Sequence, residues 1–136
     1  MIVVDTNIIA YRFIEGDKTE KVLKAQQKDS DWILPSLWRH EFLNVLSTAA
    51  RSRILNTEQC QQVWKSAVHV LHSLERDVDM LKALLLSIET SISAYDAQYI
   101  TLAQSSRIRC LTEDRKLLEA FPAITVSLDQ FFKMRP

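Results

Sequence analysis

Two rhythms of apolar and polar residues alternate along the chain. One is short and continuous. Ile2-Val3-Val4, Trp32-Ile33-Leu34, Ile108-Arg109-Cys110-Leu111 and Ala123-Ile124-Thr125-Val126 are brief, mostly apolar runs. Such runs suit strands buried on both faces of a parallel sheet. The other rhythm has helical spacing. It predicts helices over Ile8–Ile14, Lys18–Lys28 and Leu37–Arg51, then Thr57 to about His72, Asp79–Glu89, Ser93 to about Gln104 and Arg115–Ala120, with a last turn at Leu128–Phe132. Trp38, Phe42, Val45, Leu46 and Ala49 form the apolar stripe of the longest helix but one.

Local signals mark the ends of these segments. Pro35 cuts off the second strand, and Ser36 is placed to cap the helix that follows. Thr57 is an N-cap candidate with Glu58 in the first turn, although Cys60 stands where a capping box wants Glu or Gln. Ser93 and Asp96 have capping-box spacing. Strands alternating with helices imply an α/β fold, a three-layer α/β/α sandwich on a mostly parallel sheet. The length suits a single domain over residues 1–136 with a substantial core.

Composition narrows the function classes. The formal net charge is zero, which gives no basic excess to argue for nucleic-acid binding. Segregated charges and bound cations leave such binding open. The single glycine, Gly16, excludes Walker, dinucleotide and kinase glycine loops, each of which needs several. No run approaches ~18 apolar residues, and Asp5 interrupts the N-terminal apolar run too early for a signal peptide. No membrane association is expected. Cys60 and Cys110 fall in different elements and read as reduced, buried residues, which suits a cytoplasmic location. His69 and His72 are three apart on one helix but lack further ligands nearby in sequence for a zinc site.

Four acids stand out. Asp5 follows the first strand, Glu41 borders the apolar stripe of a long helix, Asp96 opens another helix, and Asp114 follows a late strand. Asp5, Asp96 and Asp114 can each be read as residues favoured at a helix start, and Glu41 as an exposed glutamate. Jointly they have another use. Strand ends at one sheet edge and two helices can aim all four at a single crevice. Converging carboxylates repel one another, and a hard divalent cation, Mg²⁺ or Mn²⁺, resolves that repulsion with all-oxygen ligation.

In this order and spacing the sequence resembles the PIN-domain nucleases, and within them the VapC-type toxins of bacterial toxin–antitoxin pairs. The resemblance spans essentially the whole chain. It rests on Val4-Asp5-Thr6-Asn7, on Pro35-Ser36 with Glu41-Phe42-Leu43-Asn44-Val45-Leu46, on Ser93-Ala94-Tyr95-Asp96-Ala97-Gln98-Tyr99, and on Leu111-Thr112-Glu113-Asp114-Arg115-Lys116-Leu117. It implies a catalytic, metal-binding quartet of Asp5, Glu41, Asp96 and Asp114, supported by Asn7 and Thr112. Some relatives carry a further acid about three residues after the last aspartate, where this chain has Leu117 and Leu118. The resemblance also implies Mg²⁺- or Mn²⁺-dependent endoribonuclease activity, a homodimer, and an antitoxin protein whose short segment fills the active-site groove. Hydrolysis would use water activated by the cation. Arg12 and Arg115, close to the quartet in sequence, are candidates for holding RNA phosphates.

Other classes fit less well. A receiver-type phosphoacceptor wants an acidic pair after the first strand, where Thr6 and Asn7 stand, and a lysine after the last, which Val126-Ser127-Leu128 lacks. A haloacid-dehalogenase phosphatase wants Asp where Asn7 is. The main rival is a PIN-fold binding or interaction module with weak or no catalysis.

Overall fold

The computed structural model describes residues 1–135. Among them are strands β1 (Ile2–Val4), β2 (Trp32–Pro35), β3 (Glu75–Arg76), β4 (Cys110–Leu111) and β5 (Thr125–Val126). The helices are α1 (Thr6–Phe13), α2 (Thr19–Lys28), α3 (Trp38–Arg51), α4 (Thr57–Leu71), α5 (Met80–Thr90), α6 (Ala94–Ser106), α7 (Arg115–Ala120) and α8 (Leu128–Lys133). All five strands are parallel, in the order β3-β2-β1-β4-β5. The expected α/β/α sandwich is therefore what the chain forms.

Strand order reverses at β1. From there the chain builds outward through β2 and β3, then crosses back to place β4 on the other side. Helices leaving adjacent strands in opposite directions open a crevice at the carboxyl ends of β1 and β4. Register fixes its walls. Val4 pairs with Leu111, so the next residues, Asp5 and Thr112, leave the sheet side by side. Ile2, Val3 and Val4 are fully enclosed, as expected of a central strand covered on both faces.

Helices pack closely around the crevice. On α3, Trp38, Phe42, Leu46 and Ala49 are buried as the stripe predicts, with Val45 half-buried. Trp38 and Phe42 close against Trp64 of α4, with ring centroids 5.7 and 6.4 Å away. The α6 helix packs against β1, β2 and β4, and its run from Tyr99 to Ala103 is buried on every side. Its neighbour α5 is different. Ala83 is buried, but Met80, Leu81, Leu84, Leu85 and Ile88 are all exposed, so the helix turns an apolar face outward.

Several boundaries differ from expectation for identifiable reasons. The β3 strand was not foreseen: Glu75 and Arg76 are polar and pair only at the sheet edge, so no apolar run announces them. The α4 cap is Asn56 rather than Thr57. Its side chain accepts from Gln59 N at 2.8 Å while Gln59 Oε1 accepts from Asn56 N at 2.9 Å, a complete capping box one residue earlier. Ser36 does not cap α3, because Leu37 is already helical and takes the cap position without a side-chain bond. At α6 only the Ser93 half of the expected box forms, with Ser93 Oγ accepting from Asp96 N at 3.0 Å. Both cysteines are free, and no helix among the described residues is long and apolar enough to cross a membrane.

Candidate active site

Asp5 is the N-cap of α1. Its Oδ1 accepts from Thr6 N at 2.7 Å, and its Oδ2 accepts from Thr112 Oγ1 at 2.7 Å. Both readings of this residue hold at once, since the cap geometry is what turns the carboxylate toward the crevice. Asn7 braces the same place. Its Nδ2 lies 3.4 Å from Asp5 Oδ2 and 3.3 Å from Thr112 Oγ1, and its Oδ1 accepts from Glu113 N at 3.3 Å. Thr112 Oγ1 in turn accepts from Asp114 N at 3.0 Å. Asp114 is the N-cap of α7, and its Oδ1 accepts from Lys116 N at 2.8 Å and Leu117 N at 3.3 Å.

Glu41 reaches in from the first turn of α3. Its Oε1 accepts from Thr6 Oγ1 at 2.8 Å and from Tyr99 OH at 2.7 Å. Asp96 comes from the first turn of α6 and is half-buried. The four carboxylates line one open hollow of about 490 Å³, with Asn7 and Asn44 also on its wall. The fold thus brings together all four acids singled out from the sequence.

Their electrostatics are unfavourable in the bare chain. Burial pushes the Asp5 carboxyl up to about 7, and the charges of Glu41 and Asp96 add to that push. Bonds from Thr112 and Thr6 offset only part of it. Asp96 is also raised, by burial first and then by the charges of Asp114 and Glu41, while Ser93 and Lys116 pull it down. Burial holds the Tyr99 phenol well above its ordinary range, so it remains a donor. None of the four acids forms a salt bridge among the described residues.

The donor set is hard oxygen throughout, which suits Mg²⁺ or Mn²⁺ rather than a thiophilic ion. As they stand, no three acidic, histidine or cysteine side chains among the described residues gather closely enough to clasp an ion. The bonding pattern explains the spread. Asp5 commits both its oxygens to the chain, and Glu41 and Asp114 one each, leaving Glu41 Oε2 and Asp114 Oδ2 without a hydrogen bond there.

The arginines behave differently from the acids. Arg12 Nε donates to Gln26 Oε1 at 2.8 Å, and its guanidinium lies 4.8 Å from the Phe13 ring centroid. Arg115 is exposed on α7, and neither residue lines the hollow. Of Leu117 and Leu118, the first is fully buried and the second half-buried, and neither lines the hollow. Glu113 is engaged elsewhere, with Lys18 at 3.5 Å and Leu128 N at 3.2 Å. His72 turns its Nδ1 to the Val68 carbonyl at 2.9 Å.

Sequence reasoning assigned no role to Thr6, Tyr99 or Asn44. A usable signal existed: Tyr99 and Asn44 each stand three residues past a quartet acid, on the same face of its helix.

The sequence pattern of the PIN domain matches residues 2–121. The chain belongs to the PIN-domain family. It is similar to Ribonuclease VapC3 of Pyrobaculum aerophilum, 27% identical over 126 residues that make up 90% of this chain and 96% of that one. Two crystal structures share the fold of this PIN domain. PAE2754 from Pyrobaculum aerophilum superposes with a TM-score of 0.75 at 20% identity, covering 98% of this chain and 97% of its own. FitAcB from Neisseria gonorrhoeae gives 0.69 at 15% identity, covering 94% and 98%.

Proposed function

We propose that this PIN domain is a divalent-metal-dependent endoribonuclease, the toxin of a type II toxin–antitoxin pair, working as a single domain in the cytoplasm. The observation that carries the reading is the hollow itself. Four carboxylates share it with no salt-bridged cation among the described residues, and the most buried of them is held near 7. Clustered charge of one sign destabilises a fold unless an ion neutralises it. Similarity to Ribonuclease VapC3 supports the choice of RNA.

In this reading Asp5, Glu41, Asp96 and Asp114 hold Mg²⁺ or Mn²⁺. When bound there, such an ion would lower the pKa of a water for phosphodiester hydrolysis and offer counter-charge to the phosphate. Asn7 and Thr112 fix the Asp5 carboxylate and tie it to the loop bearing Asp114. No side chain serves as a covalent nucleophile. Cys110 is enclosed, with its thiol pushed well up by burial, and Cys60 spends its Sγ on the Leu46 carbonyl at 3.5 Å.

Two surfaces serve the partners in this reading. RNA enters over the hollow, with Arg12 and Arg115 holding phosphates at its approaches. An antitoxin segment occupies the groove, which continues past Ala10 and Tyr11 into a further hollow of about 400 Å³ bounded by Ile14 to Thr19. A homodimer forms through the outward apolar face of α5, which no part of the described chain covers.

The deciding experiment is cleavage of a mixed-sequence RNA with Mg²⁺ or Mn²⁺ by Glu41→Gln, Asp96→Asn and Asp114→Asn. Each is expected to keep its circular dichroism spectrum and lose cleavage by orders of magnitude. Asn remains a good N-cap at position 114, and Ser93 rather than Asp96 caps α6, so folding is spared. Full activity in all three, with equal stabilisation of wild type and Asp5→Asn by the ion, would instead favour a binding module.

A further inference from the structure

Tyr99 is fully buried, yet its hydroxyl is spent on one place. It donates to Glu41 Oε1 at 2.7 Å, and it lies 2.5 Å from Thr6 Oγ1, which is itself 2.8 Å from the same carboxylate oxygen. Three elements meet there: Thr6 opens α1, Glu41 stands in the first turn of α3, and Tyr99 is one turn into α6. Packing alone does not call for tyrosine at that position, because phenylalanine fills the same volume without a polar group to satisfy. A buried hydroxyl costs free energy unless it is bonded, and this one is bonded only within the Glu41–Thr6 cluster.

The partner has reason to need holding. Glutamate carries one more rotatable bond than aspartate, and an unrestrained half-buried Glu41 would spread over several rotamers. Asp5 and Asp114 are fixed as helix caps, but Glu41 has no cap role to fix it. The two hydroxyls take Oε1 and leave Oε2 as the oxygen without a partner in the chain.

We infer that Tyr99, together with Thr6, is a positioning residue: it locks the Glu41 carboxylate by one oxygen so that the other is presented to the cation. The inference rests on the reading of Glu41 as a metal ligand. Losing a group that orients a ligand from behind typically costs about ten- to a hundred-fold in ion affinity. Thr6 also meets a second acid of the quartet, its backbone N–H donating to Asp5 Oδ1 at 2.7 Å, so the cluster joins Glu41 to Asp5.

The test is Mn²⁺ binding followed by electron paramagnetic resonance, run beside the Mn²⁺ dependence of RNA cleavage and a metal-free melting curve. Tyr99→Phe is expected to raise the Mn²⁺ concentration for half-saturation by about ten- to a hundred-fold. Cleavage at saturating Mn²⁺ should largely return. Thr6→Ser keeps the hydroxyl and should match wild type, whereas Thr6→Val should follow Tyr99→Phe. In a Glu41→Gln background, Tyr99→Phe should add no further loss of Mn²⁺ affinity.

A Tyr99→Phe variant that melts lower but binds Mn²⁺ like wild type would overturn the positioning role and leave the nuclease reading intact. An equal loss of affinity in the presence and absence of Glu41 would overturn it too, since the effect would not pass through that carboxylate. Absence of Mn²⁺ binding in wild type would instead remove the nuclease reading, and the positioning role with it.

Discussion

Asp5 and Thr112 leave adjacent parallel strands at the same level, and the Thr112 hydroxyl donates to Asp5 Oδ2 at 2.7 Å. Strand register alone brings them together. Because Thr112 also accepts from Asp114 N, a shift in the loop after β4 is felt at Asp5. The buried acid is therefore held by bonds that favour its charge and by surroundings that oppose it, and the surroundings prevail.

That balance sets the direction of a pH effect. In the unfolded chain the Asp5 carboxyl titrates near 3.8, and in the folded one near 7. Between those values the folded protein keeps a proton that the unfolded chain has shed, so stability from this group falls as pH rises and is fully lost above about 7. Metal-free melting temperatures should decline from pH 5 to 8, by the equivalent of a few kcal/mol at most. In Asp5→Asn the decline should be much shallower. Thermal scans across that range check it, and a wild-type curve as flat as the variant's would contradict the buried, strained state of Asp5.

On α5 the expectation concerns assembly. Leu84→Glu and Ile88→Glu place charge on the outward apolar face and should convert a dimer to monomers without loss of helix content. Sedimentation at micromolar protein reads the outcome directly. A dimer that survives both substitutions must use another surface.

RNA affinity should depend on salt through its phosphate contacts. Arg12→Ala and Arg115→Ala are each expected to weaken binding and to lower the slope of log affinity against log salt by roughly one. Lys24 pairs with Glu20 at 3.4 Å on exposed α2 and should change neither quantity when replaced by Ala. Unaltered slopes in both arginine variants would move the RNA track elsewhere. The grip of Gln26 on Arg12 makes a second expectation: Gln26→Ala should strengthen RNA binding if the freed guanidinium turns to phosphate.

The layers and the acidic cluster were legible in the sequence because they depend on short-range signals. Val4-Asp5 marks a buried strand ending in a cap, and the stripe from Trp38 to Ala49 marks a packed helix. What escaped notice depends on distant partners. Glu75 and Arg76 become a strand only because Leu34 and Pro35 lie beside them. Tyr99 reads as an ordinary core aromatic until α3 brings Glu41 within reach, 58 residues away in sequence. Arg12 likewise finds its partner Gln26 on the next helix, 14 residues on, where no local pattern announces it.

Three helix exits turn through left-handed backbone at residues that carry side chains: Arg53 at φ 59°, Ser91 at 61° and Arg107 at 55°. The only glycine, Gly16, sits where no positive φ is needed and open space surrounds its α-carbon. Side chains in left-handed turns cost about 1 kcal/mol each, and a glycine that could be alanine forgoes about 0.4–1 kcal/mol. The chain thus holds a reserve of stability in its turns, at residues that do not line the hollow of the carboxylates. A lineage that sharpened the charge repulsion at the centre has room to make up the loss with exchanges of one residue at a time, none of which would touch the chemistry.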